Sequence, residues 1–162
     1  MTTRRKLLTG LAGMLAGAFV SKHAAAEQAP SESAEELRFP GDPTDHNVIY
    51  QLNKSNEKYH DGVLFSVGEM LRKYNDNITI VVTVFGPGIH LLAKIPGRPV
   101  SEKNIQSVKS LSSYGVQFHA CGNTLDSLGW DKDDIYDFAE IVQVGAADLL
   151  EHQEKGFAYI SL

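Results

Sequence analysis

The sequence has 162 residues, with 15 Lys+Arg against 20 Asp+Glu and a formal net charge of −5. Four of the positives (Arg4, Arg5, Lys6, Lys22) fall in the first 26 residues, which contain no acid, so residues 27–162 carry 11 positive against 20 negative charges, a net of −9. That balance argues against nucleic acid or an anionic membrane as partner, since both need clustered Lys and Arg; the single cysteine, Cys121, rules out an internal disulfide framework and a Cys-only zinc site.

The N-terminus reads as an address. Residues 3–9 (Thr-Arg-Arg-Lys-Leu-Leu-Thr) lead into an apolar run over 7–20, loosened by Gly10, Gly13 and Gly17. Ala24-Ala25-Ala26 then offers a small-residue cleavage site before Glu27. This layout predicts a secretory signal over 1–26, cleaved near Ala26. The Arg4-Arg5 pair is similar to the twin-arginine export signal, which implies a protein folded before export and a periplasmic address. The run falls short of the roughly 20 residues that span a bilayer, so no membrane attachment is expected of the mature form. Residues 27–45, rich in Glu, Ala, Ser and Pro, read as a mobile arm.

The domain over 46–162 alternates strands and helices. A strand is predicted over 47–52, followed by a helix over 57–74 with Val63, Leu64, Val67, Met70, Leu71 and Tyr74 at helical spacing. The run 78–85 (ITIVVTVF) is apolar on both faces, as in a buried parallel strand, and Gly86-Pro87-Gly88 breaks it. A short helix is expected over 90–94, ended by Pro96-Gly97. Ser101 is the expected cap of the next helix, with Ile105, Val108 and Leu111 facing in. A third strand over 116–120 ends at Cys121-Gly122. Asp131 and Asp134 predict a capped helix with Ile135, Phe138 and Ala139 facing in. A fourth strand over 141–144, a helix over 146–155 closed by Gly156, and a last strand over 157–161 complete the pattern. Five strands separated by helices imply an α/β fold, a parallel sheet covered on both faces. Ligands then sit at the carboxyl ends of the strands.

Cys121 stands at one of those ends. If the segment Gly122-Asn123-Thr124-Leu125-Asp126 begins a helix, its free N–H groups favour a thiolate, the nucleophile and the form that carries a persulfide. Gly122 leaves room for a substrate, and the amides of residues 122–124, Asn123 among them, hold an anion. The plain alternative is a buried cysteine acting as a small hydrophobe. His119, two residues earlier on the strand, shares its face and can tune the thiol as imidazolium or take its proton as imidazole. His90 follows the Gly86 and Gly88 loop in the neighbouring strand-end region. Those glycines free N–H groups for an anion, and His90 can bind it, assist Cys121 or cap a helix. Lys54 in the Asn53-Lys54-Ser55-Asn56 turn can bind an anion, and turn chemistry explains these residues equally well. His46 and His60 are expected at the surface and His152 on an exposed helix face. Cys121, His119 and His90 compose a set that suits copper or zinc. Ligand spacings such as HExxH, CxxC or paired histidines at i and i+4 are absent, and so are the GxGxxG and P-loop patterns, so neither metal nor cofactor is expected.

The stretches Val48-Ile49-Tyr50-Gln51-Leu52, Ile80-Val81-Val82 with Gly86-Pro87-Gly88-Ile89, Gly115-Val116 through Phe118 to Ala120-Cys121-Gly122-Asn123-Thr124-Leu125, and Gly156-Phe157-Ala158-Tyr159-Ile160 together resemble the DsrE/DsrF-like family. The resemblance implies a three-layer α/β/α domain with a five-stranded, mainly parallel sheet, assembled as homotrimers or hexamers. In its sulfur-relay members a cysteine at the position of Cys121 accepts sulfane sulfur as a persulfide and passes it to a partner. The implied function is a sulfur carrier or sulfurtransferase, with a sulfur donor and an acceptor thiol protein as partners. Two other readings stay open. One is a non-catalytic oligomeric module that binds a small anion or metal and keeps a structural cysteine. The other is a redox sensor built on a lone thiol.

Overall fold

The computed structural model describes residues 42–75 and 77–162. The expected signal over 1–26 and all but the end of the arm lie outside the described residues. That end is tied down: the Thr44 and Thr79 hydroxyls are 2.7 Å apart, and Asp45 N–H reaches Asn77 Oδ1 at 2.9 Å.

Five strands form one sheet: β1 (His46–Leu52), β2 (Ile78–Val84), β3 (Gln117–Cys121), β4 (Ala139–Val142) and β5 (Ala158–Ile160). Their order across the sheet is β4-β3-β2-β1-β5, and all four pairings are parallel. Four α-helices cover it: α1 (Glu57–Tyr74), α2 (Glu102–Ser113), α3 (Gly122–Leu128) and α4 (Gly145–Glu154). The three-layer α/β/α architecture expected from the sequence is the one observed. Among the described residues no helix is long and apolar enough to cross a membrane.

Strand alternation sorts the side chains into two unequal cores. On one face Val48, Tyr50, Leu52, Ile80, Val82, Val84, Phe118 and Ala120 pack with Val63, Leu64 and Val67 of α1 and Val108 and Leu111 of α2. On the other, Ile49 and Val81 meet Leu149 of α4, with Phe85 and Phe157 alongside. β2 is the strand whose β-branched run is buried on both faces, as its place in the middle of the sheet requires. Helix starts follow their caps: Asn56 Oδ1 accepts Tyr59 N–H at 2.8 Å, and Ser101 Oγ accepts Asn104 N–H at 3.3 Å.

Three expectations are corrected. The Gly86-Pro87-Gly88 segment, read as a break before a short helix over 90–94, is itself the start of a 3₁₀ helix, Gly86–Leu92. Pro87 fits there because a helix start lacks partners for its first N–H groups. Gly88 lets the turn graze β1; a Cβ on it would lie 2.5 Å from the Leu52 carbonyl oxygen. The helix expected after Asp131 is one 3₁₀ turn, Lys132–Asp134, although its capping box forms. The backbone beyond is drawn into extended pairing, with Tyr136 N–H on Leu92 O at 2.9 Å and Lys94 N–H on Asp134 O at 2.8 Å. Ile135 is therefore buried as part of a bridge to Ala93 rather than on a helix. As a result the fourth strand begins at Ala139 and ends at Val142, two residues before the expected limits. The third correction concerns histidines. His60, expected at the surface, is fully buried, its Nε2 against Lys54 O at 2.7 Å. His152, expected on an exposed face, packs inward from α4, its side chain 13% exposed. His46 is exposed as expected.

Candidate functional site

β3 ends at Cys121, which is also the N-cap residue of α3, with extended backbone (φ −70°, ψ 116°). The next strand–helix junction, from β4 into α4, lies beside it. The sulfur thus sits where two helices begin. Gly145, the first residue of α4, directs its N–H at Cys121 Sγ across 3.3 Å. Gly145 suits this close approach, because a Cβ there would lie 3.2 Å from Cys121 Cβ and 3.3 Å from Phe85 Cδ1, tight enough to press on both. Gly122 is equally confined, its Cβ position lying 3.2 Å from Gln143 Cα.

Burial alone would raise the Cys121 pKa. The Thr124 hydroxyl and the amide N–H groups of Gly145, Thr124 and Asn123 outweigh it, and the thiol lies below its ordinary value. Thr124 Oγ1 also accepts the N–H of Gly86 at 3.0 Å, so the loop after β2 is fastened to the residue that supports the sulfur. Gln143 braces the other side. Its carbonyl accepts Asn123 N–H at 3.0 Å, and its amide reaches Asn123 Oδ1 at 2.8 Å and Asp126 Oδ2 at 3.3 Å. The Gly145 N–H is thus the donor bonded to the sulfur, with Thr124 supporting it and the Asn123 N–H engaged by Gln143, and the residue is 7% exposed.

The sequence-predicted residues separate into two groups. Cys121, Gly122, Asn123 and Gly86 come together. His119 shares the face of Cys121, but its Nδ1 is turned to the Asp148 carboxylate, at 2.9 and 3.0 Å from the two oxygens. His90 lies in the 3₁₀ helix with its Nδ1 accepting Gly97 N–H at 3.2 Å and its ring edge-on to Trp130. Burial, with Arg98 nearby, lowers its pKa. The N–H of Gly88 is occupied by Phe85 O. Lys54 reaches the Leu162 carbonyl and lies over the Tyr59 ring.

Three contributors were not singled out from the sequence: Thr124, Gly145 and Asp148. Thr124, three residues beyond the cysteine in a helix-opening segment, carried a usable signal, because a hydroxyl there folds back on the cap. Gly145 carries no such signal, because the pattern places the helix start at residue 146. Asp148 gave no local signal; its role depends on β2 and β3 passing beneath it.

The DsrE/DsrF-like family pattern matches residues 45–162, nearly all of the described chain. The chain belongs to the DsrE/DsrF-like family. Solved structures agree on the fold. A protein of unknown function from Methanobacterium thermoautotrophicum, MTH1491, is 26% identical with a TM-score of 0.66, covering 73% of this chain and 100% of its own. The ychN protein from E. coli is 12% identical with a TM-score of 0.60, covering 72% of this chain and 99% of its own. A conserved protein of unknown function from Bacteroides thetaiotaomicron, BT1422, is 12% identical with a TM-score of 0.52, covering 72% and 94%. No curated protein matches the sequence. Family membership assigns this DsrE/DsrF-like protein to a sulfur-relay type of family and leaves its own reaction to the geometry of Cys121.

Proposed function

We propose that this DsrE/DsrF-like protein is a periplasmic carrier of sulfane sulfur, held as a persulfide on Cys121. The observation that carries the reading is the sulfur's placement at the carboxyl end of β3, receiving the N–H of Gly145 and supported by Thr124. A thiolate there attacks the sulfane sulfur of a polysulfide or of thiosulfate. The donor's S–S bond breaks, a new S–S bond forms on Cys121, and the donor leaves as a thiolate or sulfite. An acceptor thiolate then attacks the outer sulfur, and Cys121 is released as the thiolate it was. Sulfur moves at its own oxidation level, so no further oxidant is needed. The same N–H groups serve a persulfide anion. Export rests on the Arg4-Arg5 segment, and assembly as a homotrimer or hexamer rests on the family resemblance.

The test is intact-mass measurement after the protein is reduced, freed of reductant and incubated with polysulfide or thiosulfate. The wild-type chain gains sulfur and Cys121→Ser does not. No adduct on Cys121, under conditions where a cytoplasmic relay protein acquires one, overturns the proposal. A structural cysteine in a non-catalytic module is favoured by one observation, the 7% exposure of Cys121. Alkylation separates the two: a thiol that reacts only on unfolding is structural, and one that reacts quickly in the native protein below neutral pH is not.

A further inference from the structure

Beside the cysteine, between α4 and the sheet, lies a cluster of titratable side chains that sulfur carriage does not use. We propose that His119, Asp148 and His152 form a binding site for a divalent metal ion of the zinc class. The site stands whether or not Cys121 carries sulfur.

The three residues each offer a ligand atom within 4.8 Å of the others. His119 Nδ1 is 2.9 and 3.0 Å from the Asp148 carboxylate oxygens, and His152 Nδ1 is 3.2 Å from Oδ1 and 2.8 Å from the Asp148 backbone carbonyl, a hydrogen bond that an ion on Nδ1 replaces. A tetrahedral ion with bonds of about 2.0–2.2 Å has ligand–ligand edges of about 3.3 Å; the two edges to Asp148 are within a few tenths of an ångström of that, and the two histidines, within 4.8 Å of each other, draw together around it. Asp148 and His152, four residues apart, lie on one face of α4, and His119 comes up from β3. All three side chains are nearly buried, at 7%, 7% and 13% exposure. Two imidazoles and one carboxylate suit zinc, and are too poor in oxygen for calcium or magnesium. Thr83 donates its hydroxyl to Asp148 Oδ2 at 2.5 Å, which fixes the carboxylate from behind as outer partners of metal ligands do.

One buried ring atom on the outer side of the site, His119 Nε2, has no hydrogen-bond partner. The nearest acid is the exposed Glu140, 3.9 Å away. With Nδ1–H given to Asp148, Nε2 turns a lone pair toward another acceptor. A metal on Nδ1 places the ring proton on Nε2, and Glu140, free to close the distance, accepts it. The orphan becomes the carboxylate-bound outer N–H typical of ligating histidines.

The test uses the full chain, stripped with chelator and titrated with Zn²⁺ by calorimetry and with Co²⁺ by visible absorption. The expected result is one ion per chain, with a Co²⁺ spectrum of nitrogen and oxygen ligation and no thiolate charge-transfer band. Cys121→Ser retains the affinity within about threefold. Thr83→Val, which keeps all three ligands, weakens it about 10–100-fold, and His152→Ala weakens it by more. Melting curves in chelator confirm that each variant is folded, and the wild-type Co²⁺ spectrum decides independently of any variant. The proposal is overturned by absence of saturable binding. Binding that survives His152→Ala, or that is lost in Cys121→Ser, overturns it equally.

Discussion

The amide N–H of Gly145 points at the sulfur of Cys121 across 3.3 Å, joining the first turn of α4 to the last residue of β3. The donor lies on a different strand–helix unit from the cysteine, so the thiol's character depends on how two units are packed.

That dependence is measurable. Alkylation of metal-stripped protein followed against pH is expected to show a midpoint below the roughly 8.5 of a free cysteine. Thr124→Val removes a donor to the sulfur and moves the midpoint up. At neutral pH alkylation slows about tenfold, the equivalent of the ~1.5 kcal/mol contributed by a hydrogen bond to a charged group. Thr124→Ser restores the rate. An unchanged profile in Thr124→Val would show that the hydroxyl does not support the thiolate.

Gly88 and Gly62 are expected to respond to alanine in opposite directions. A Cβ on Gly88 would stand 2.5 Å from the Leu52 carbonyl oxygen, and the backbone there cannot step aside. Gly88→Ala should cost about 1–3 kcal/mol in denaturant unfolding. Gly62 lies within α1 and has nothing within 4 Å of its Cβ position. Gly62→Ala should stabilise by about 0.5–1 kcal/mol through helix propensity.

His60 makes stability fall with acid. Burial lowers its pKa, opposed by the Lys54 carbonyl and the nearby Asp61. A base with a depressed folded pKa is protonated first in the unfolded chain. Its stabilising contribution is therefore complete above about 6.5 and is lost as pH falls toward the folded value. Urea unfolding at several pH values between about 7.5 and 5 should show this slope, reduced in His60→Gln. His90, lowered in the same direction, leaves a residual slope. Equal slopes in the two proteins would remove His60 from the account.

Asp131 tests how far a local signal carries. Its capping box closes a single turn, so Asp131→Ala should cost only about 0.5–1 kcal/mol, near the lower end of the range for a cap. A loss above about 2 kcal/mol would mean that the cap also holds the bridge at Ile135.

What was legible in the sequence follows from the range of the forces involved. Period and punctuation reveal β1, β2 and α1 almost to the residue and the start of α2 at its Ser101 cap, because alternation and capping act within a few positions. The segment after Asp131 misled because its helix signal is local while its pairing with Leu92 and Ala93 is not. At the site, Cys121 and its following amides could be read from strand-end position. Gly145 and Asp148 could not, since they reach the cysteine's strand from more than 20 positions away. His60 and His152 looked like surface residues because a polar side chain alone does not reveal the carbonyl or carboxylate that waits for it.

The strand order also sets a sequence of assembly. β1 pairs with β2, the next strand along the chain, but its other neighbour is β5, where Val48 meets Ala158 more than a hundred positions later. α4 is made just before β5 and rests on the face that has the smaller core. Loop closure over that distance comes late in folding. While a chain is still folding, Cys121 is an ordinary thiol; it gains the Gly145 donor only when α4 docks. The donor that lowers the Cys121 pKa is thereby added only when the fold is nearly complete.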